Sequence, residues 1–178
     1  MTKIRPEGPE DFPAIRELIL QVFSEAFGSG LDEAKLVEDL RSTDAYVPAL
    51  SLVAVHEDEI VGHVMFSEVH IISRGERIAA LALAPLGVRK QYRRQGIGAG
   101  LVRQGLAAGQ QMGYRAVFVQ GSPTCYGRFG FVPASSRGLT TPFPNTPDPG
   151  NMVLELGDGS LSEISGPVEY PGAWEPFK

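Results

Sequence analysis

The sequence predicts a mixed α/β fold: a mostly antiparallel central sheet that ends in one parallel crossover, with helices packed against it. Three observations predict it. Residues 52 to 88 hold apolar runs separated by short polar turns, and residues 11 to 40 carry apolar side chains at helical spacing. A strand, a helix and a strand then follow in that order from Ile78 to Val119.

Each element has its own signal. Ile4 and Arg5 read as a short strand ended by Pro6. Asp11 is placed to cap a helix whose Phe12, Ile15, Ile19, Val22, Phe23 and Phe27 form one expected buried stripe. Gly28-Ser29-Gly30 breaks it, and Asp32 can cap a second helix with Leu36, Val37 and Leu40 on one face. Leu52 to Val55 and Ile60 to Phe66 are strands joined by the polar turn His56-Glu57-Asp58-Glu59, and Val69 to Ile72 extends the second. Ser73-Arg74-Gly75-Glu76 turns the chain into a strand from Ile78 to Val88, interrupted at Pro85. Its apolar run on both parities suits burial on both faces.

Gly96 to Met112 is helical, with Gly113 as a stop. Glycines 98, 100, 105 and 109 each lower helix propensity by about 1 kcal/mol relative to Ala, so some of them are expected to serve close backbone approach. Ala116 to Val119 is a strand, residues 133 to 151 read as a long loop, and Met152 to Leu156 is a late strand. The segment 157–178 reads as a mostly irregular tail packed on the rest, with Val168-Glu169-Tyr170 as a possible edge strand. One domain over residues 1–178 is expected, without repeat, linker or second core.

Composition narrows the function. A hydrophobic content of 43% with 21% charged residues is that of an ordinary globular protein. The net charge of −5 argues against general nucleic-acid binding, which favours a basic face. No apolar segment approaches the roughly 20 residues that cross a bilayer. Met1-Thr2-Lys3-Ile4-Arg5-Pro6 has no signal-peptide character, so a cytoplasmic location without membrane partners is expected. The single cysteine, Cys125, fits a reducing compartment and is expected to be a partly buried structural thiol. His56 sits in a turn, and His63 and His70 differ in strand parity, so no metal is expected. Oligomeric state is not legible.

The informative stretch is Val88-Arg89-Lys90-Gln91-Tyr92-Arg93-Arg94-Gln95-Gly96-Ile97-Gly98. A buried strand ends, a short basic loop follows, and a helix opens near Gly96. Helix N-termini carry unpaired N–H groups and roughly half a positive charge, which favour an anion, and glycines let it approach the backbone. Arg89, Lys90, Arg93 and Arg94 add positive charge against an acidic whole. A P-loop needs Gly-Lys-Ser/Thr at the helix start, which is absent. A dinucleotide fingerprint needs a glycine where Leu101 stands and an acidic residue on the next strand, which has none.

Arg93-x-x-Gly96-x-Gly98 resembles the Arg/Gln-x-x-Gly-x-Gly/Ala signature of the GNAT N-acetyltransferase superfamily. Tyr126-Gly127-Arg128-Phe129-Gly130-Phe131 resembles the Tyr-x-x-Phe-Gly-Phe segment of a bacterial branch of predicted N-acetyltransferases. The element order is similar to that fold over almost the whole chain. The resemblance implies a GNAT-like sheet with a splayed parallel strand pair, and acetyl-CoA as cosubstrate for an amine acceptor. It further implies that Arg93, Arg94, Gln95, Gly96, Ile97 and Gly98 hold the pyrophosphate, mainly through backbone N–H groups. The pantetheine arm would pair along Leu86, Gly87 and Val88, with the Leu86 N–H as oxyanion donor, and Tyr126 would protonate the departing thiolate.

Several members of that superfamily place a Glu on the strand before the signature. Here that strand reads Leu81-Ala82-Leu83-Ala84-Pro85-Leu86-Gly87, with no ionisable side chain. Glu25, Glu68, His63 and His70 are the alternatives for a base acting through water. An acyl-CoA-binding sensor with little catalysis remains the second reading, and an enzyme that modifies protein amines a third.

Overall fold

The structure, a computed structural model, describes all residues 1–178. It is a mixed α/β fold with strands β1 (Lys3–Pro6), β2 (Tyr46–His56), β3 (Glu59–Ser73), β4 (Glu76–Val88), β5 (Ala116–Gln120), β6 (Val132–Pro133), β7 (Leu139–Thr140), β8 (Asn151–Glu155) and β9 (Gly166–Glu169). The helices are α1 (Phe12–Phe27), α2 (Leu31–Arg41), α3 (Ile97–Gln111) and the short α4 (Pro123–Tyr126). Strand order is β1-β2-β3-β4-β5-β8-β6, with β9 paired to β3 and to β7. β4 and β5 run parallel, and their ladder covers Leu81↔Val117 and Ala82↔Phe118. No helix is long and apolar enough to cross a membrane.

The chain forms two compact units. The first comprises Met1–Ser67 and Ala84–Ala108, the second Glu68–Leu83 and Gly109–Lys178.

In the first unit, the β2–β3 hairpin turns at Glu57 and Asp58, both with positive φ (47° and 65°), as a two-residue turn between twisted strands requires. Strand alternation then sorts the end of β4. A Cβ on Gly87 would lie 3.3 Å from Leu18 and 3.4 Å from Val22 of α1, whereas Val88 points to Gly98 of α3. Gly105 is where α3 comes closest: a Cβ there would sit 2.0 Å from the Phe66 ring. A Cβ on Gly98 would find only an ordinary 3.6 Å contact with Val88, so close approach belongs to Gly105 and not to the signature glycine.

The buried stripe of α1 differs from the expected one. Ile15, Leu18, Ile19 and Val22 are enclosed, Phe12 and Phe23 are half-buried, and Phe27 is 77% exposed. The helix closes on left-handed Gly28 directly after Phe27, so its last turn overhangs the core and Phe27 stacks only on Phe23, at 6.0 Å. Asp11 precedes α1 but makes no capping bond to it; its carboxylate accepts from the Gly8 amide and from Arg5. α2 starts at Leu31 behind Gly30, which places Asp32 in the first turn instead of at the cap.

A buried polar cluster ties the start of the first unit together. The Glu7 carboxylate accepts two bonds from Arg41 of α2 at 2.9 and 3.0 Å, one from the Tyr46 hydroxyl at 2.9 Å and one from His63 Nε2 at 3.1 Å. Ser51 Oγ lies 3.2 Å from the same ring nitrogen. Burial alone would raise the Glu7 pKa, but the bonds from His63 and Arg41 overcome it and bring it down to about 2. Burial pushes His63 the other way for a base, below its ordinary value, so the pair is an ionised carboxylate and a neutral imidazole donating from Nε2.

In the second unit, β5 pairs with β8 along its whole length from Ala116↔Glu155 to Gln120↔Asn151. β4, which starts in this unit and ends in the first, runs through Pro85 without the expected interruption. The stretch 133–151 carries a 3-10 turn at Ala134–Arg137, strand β7 and a buried Phe143. The tail is more ordered than its composition suggests. β9 pairs with β3 through His70↔Glu169 and Ile71↔Val168, and a 3-10 stretch at Gly172–Phe177 buries Trp174. Phe143, Tyr170 and Trp174 meet edge-on or tilted at 4.8 to 6.0 Å, the geometry aromatic rings prefer.

The Glu7 cluster makes stability depend on pH at the acid end. A carboxylate whose folded pKa is depressed stabilises the fold above its unfolded value, about 4.5, and that contribution disappears as pH falls through about 2. Urea unfolding midpoints are expected to fall across that window, and Glu7→Gln to flatten the fall. Parallel acid limbs for the two proteins would remove Glu7 as the cause.

Candidate active site

The basic loop is built by a strand end, a turn and a helix start within the first unit. A 3-10 turn at Lys90–Tyr92 follows β4, and Arg94 and Gly96 then adopt positive φ of 61° and 81°. Arg94 lies inside the small left-handed region open to residues with side chains, whereas 81° lies beyond it and favours glycine at position 96. This geometry leaves the amides of Arg94, Gln95, Gly96, Ile97 and Gly98 without a backbone acceptor; the first bond that closes the helix runs from Gly100 N to Gly96 O at 2.8 Å. Successive N–H groups in a turn that opens a 15-residue helix form a concave donor set for an anion. Lys90, Arg93, Arg94 and Gln95 are exposed around it.

The four basic residues are not equivalent. Arg89 is 8% exposed, and its guanidinium donates from Nε to the Ile60 carbonyl at 3.1 Å and from Nη1 to Gln21 Oε1 at 2.5 Å. Glu59 and Glu17 stand 3.3 and 3.7 Å away. Its charge is spent inside the protein, which corrects the expectation that it faces a ligand. Arg93 has a mixed role: Nε donates to the Val88 carbonyl at 2.9 Å, while Nη2 lies 3.7 Å from Glu25. Gln95 donates back to the Gln91 carbonyl at 3.1 Å and stiffens the turn.

Leu86 and Val88 are half-buried on β4, and Gly87 is enclosed beneath α1. Among the proposed bases, His63 is fully enclosed and engaged by Glu7, so it reaches no substrate. Glu25 remains accessible beside Arg93. In the second unit, Glu68 accepts from the Tyr114 hydroxyl at 2.8 Å and lies 3.1 Å from His70, whose Nδ1 faces Arg77 at 3.3 Å.

Tyr126 closes α4 in the second unit. Ser122 caps that short helix by accepting from the Thr124 amide at 3.2 Å, with Pro123 in the first position. The ring packs edge-on against buried Phe131 at 5.7 Å. Gly121 makes room for it, since a Cβ there would meet the ring at 2.4 Å. Burial, with the neighbouring Cys125 thiol, pushes the phenol up to about 12. Cys125 is exposed, not partly buried as expected, because α4 is a single turn that presents it outward. No group of three or more His, Cys, Asp and Glu side chains is gathered to hold a metal ion.

The residues missed in the sequence are Glu17, Gln21 and Glu59, which hold Arg89. Their signal was available in part: Glu17, Gln21 and Glu25 recur every fourth position along one edge of α1. Arg89→Gln is expected to lower the unfolding free energy by about 1–3 kcal/mol through the lost buried bonds. Unfolding by urea measures this, and unchanged stability would contradict the assignment of Arg89 to the fold.

Comparison with known proteins agrees with this architecture. The model of the acetyltransferase (GNAT) domain matches residues 3–134. The uncharacterized N-acetyltransferase YhbS of Escherichia coli strain K12 is 39% identical over 169 residues, 94% of this chain and 95% of that protein. The crystal structure of E. coli YhbS in complex with CoA superposes with a TM-score of 0.88 at 36% identity, over 99% of this chain and 93% of the other. A GNAT family acetyltransferase from Brucella melitensis in complex with acetyl-CoA gives 0.79 at 28% identity, over 98% and 99%. With a matched domain model and a relative of this identity along nearly its whole length, the chain belongs to the GNAT acetyltransferase family.

Proposed function

We propose that the protein is an acetyl-CoA-dependent N-acetyltransferase in which an amine attacks the thioester directly. The observation that carries the reading is the run of unpaired amides from Arg94 to Gly98 at the start of α3, flanked by exposed cationic side chains. That set suits a pyrophosphate, and the similar proteins held with CoA and acetyl-CoA support the same ligand. The pantetheine arm runs along Leu86, Gly87 and Val88, and the Leu86 N–H polarises the thioester carbonyl. Both units act as one domain in this scheme.

Tyr126 serves the leaving sulfur as its hydrogen-bond donor. A phenol at about 12 keeps its proton at any working pH. A thiol has a reference value near 8.5, so complete transfer to a free thiolate is uphill. Tyr126 therefore acts chiefly by hydrogen-bonding to negative charge as it develops on sulfur, while the proton lost by the amine leaves through water.

One observation favours the second reading, an acyl-CoA-binding sensor: Leu81 to Gly87 of β4 has no ionisable side chain to serve as base. Release of free thiol from acetyl-CoA, measured over small amines and peptides, separates the two. An amine that raises release above hydrolysis supports the enzyme; tight acetyl-CoA binding with no such amine supports the sensor. With an active amine, Tyr126→Phe is expected to reduce kcat on the order of 10²-fold while coenzyme affinity stays within about twofold. Undiminished kcat would remove Tyr126 from the chemistry.

A further inference from the structure

Glu17, Gln21 and Glu25 form a polar edge on α1 that meets the cationic loop. The first two serve Arg89, whose guanidinium is enclosed. Glu25 is different. It accepts from Gln21 Nε2 at 3.3 Å and stands 3.7 Å from Arg93 Nη2, with 38% and 40% of the two side chains exposed. A solvated pair at that separation adds little to the fold.

We propose that Glu25 weakens the hold of the cradle on coenzyme A by competing for Arg93, and so speeds release of the coenzyme product. This rests on the assignment of the open amides to a pyrophosphate. Arg93 directly precedes the open amides of Arg94 to Gly98, and its Nε is held by the Val88 carbonyl at the end of β4. Its remaining edge faces Glu25. A pyrophosphate on those amides attracts Arg93 and repels the carboxylate that shares it. Glu25 is thus a positioning residue whose charge opposes the bound polyanion.

The chemistry of the reaction gives this opposition a use. Acetyl transfer changes only the far end of the cosubstrate, so the product keeps the whole pyrophosphate that the cradle grips. Interactions made equally with substrate, transition state and product do not lower the chemical barrier, and they slow the last step. Product release limits turnover in many enzymes. A carboxylate on the cradle's arginine trims that uniform grip without touching the reacting atoms.

Coenzyme A binding and dissociation, followed for the unaltered protein, Glu25→Gln and Glu25→Asp at roughly 0.02 M and roughly 0.5 M salt, test the proposal. Glu25→Gln is expected to tighten binding by roughly 3- to 10-fold at low salt, mainly through slower dissociation, and by under about twofold at high salt. KM for acetyl-CoA and kcat fall together. Glu25→Asp, which keeps the charge, returns most of the original affinity, and the thermal midpoint moves by no more than about 1 °C in either variant. Unchanged or weaker binding by Glu25→Gln at low salt would overturn the role of Glu25 alone. Failure of the unaltered protein to bind coenzyme A would overturn the cradle itself.

Discussion

The loop from Arg89 to Gly98 leaves the amides from Arg94 onward without an acceptor, so the few bonds within it need an anchor where it leaves the sheet. Arg89 is that anchor. Its amide continues the sheet by donating to the Val61 carbonyl, and its enclosed guanidinium ties Ile60 of β3 to Gln21 of α1. With that end fixed, the Lys90–Tyr92 turn and left-handed Arg94 and Gly96 carry the chain to the first turn of α3. The amides then stay open because the chain around them is already held. One cation is spent on structure so that the neighbouring ones stay available at the surface.

Much of this was legible in the sequence. The element order, the meander and the crossover follow from periods of two and 3.6, and the glycine-opened helix raises the proposal of an anion site before any fold is known. Which of the four basic residues faces outward was not read, though strand parity contains the answer. Gly87 points at α1 and Val88 at α3, so Arg89 is carried back to the α1 side, where Glu17 and Gln21 wait. Consecutive charges do not make one exposed patch when the first of them still follows the alternation of the strand it leaves.

Other differences have similar physical origins. Phe27 fits the apolar period of α1, but a period cannot say how far the core extends beneath a helix end. Pro167, Pro171 and Pro176 predict an irregular tail from local sequence alone. Its order comes from non-local contacts instead: β9 on β3, and Trp174 against Phe143 and Tyr170. Likewise, Glu7 looks like one more polar residue before a helix. Only the fold reveals it as the acceptor of bonds from Arg41, Tyr46 and His63, which are scattered over residues 41 to 63.

The central claim is that the amides from Arg94 to Gly98 are the anion-binding surface of the protein. Amide resonances followed while coenzyme A is added test it at the level of single residues. The largest changes are expected at Gln95, Gly96, Ile97 and Gly98, saturating with one equivalent of coenzyme and fading as salt rises. Binding of coenzyme A that leaves those amides undisturbed would contradict the account.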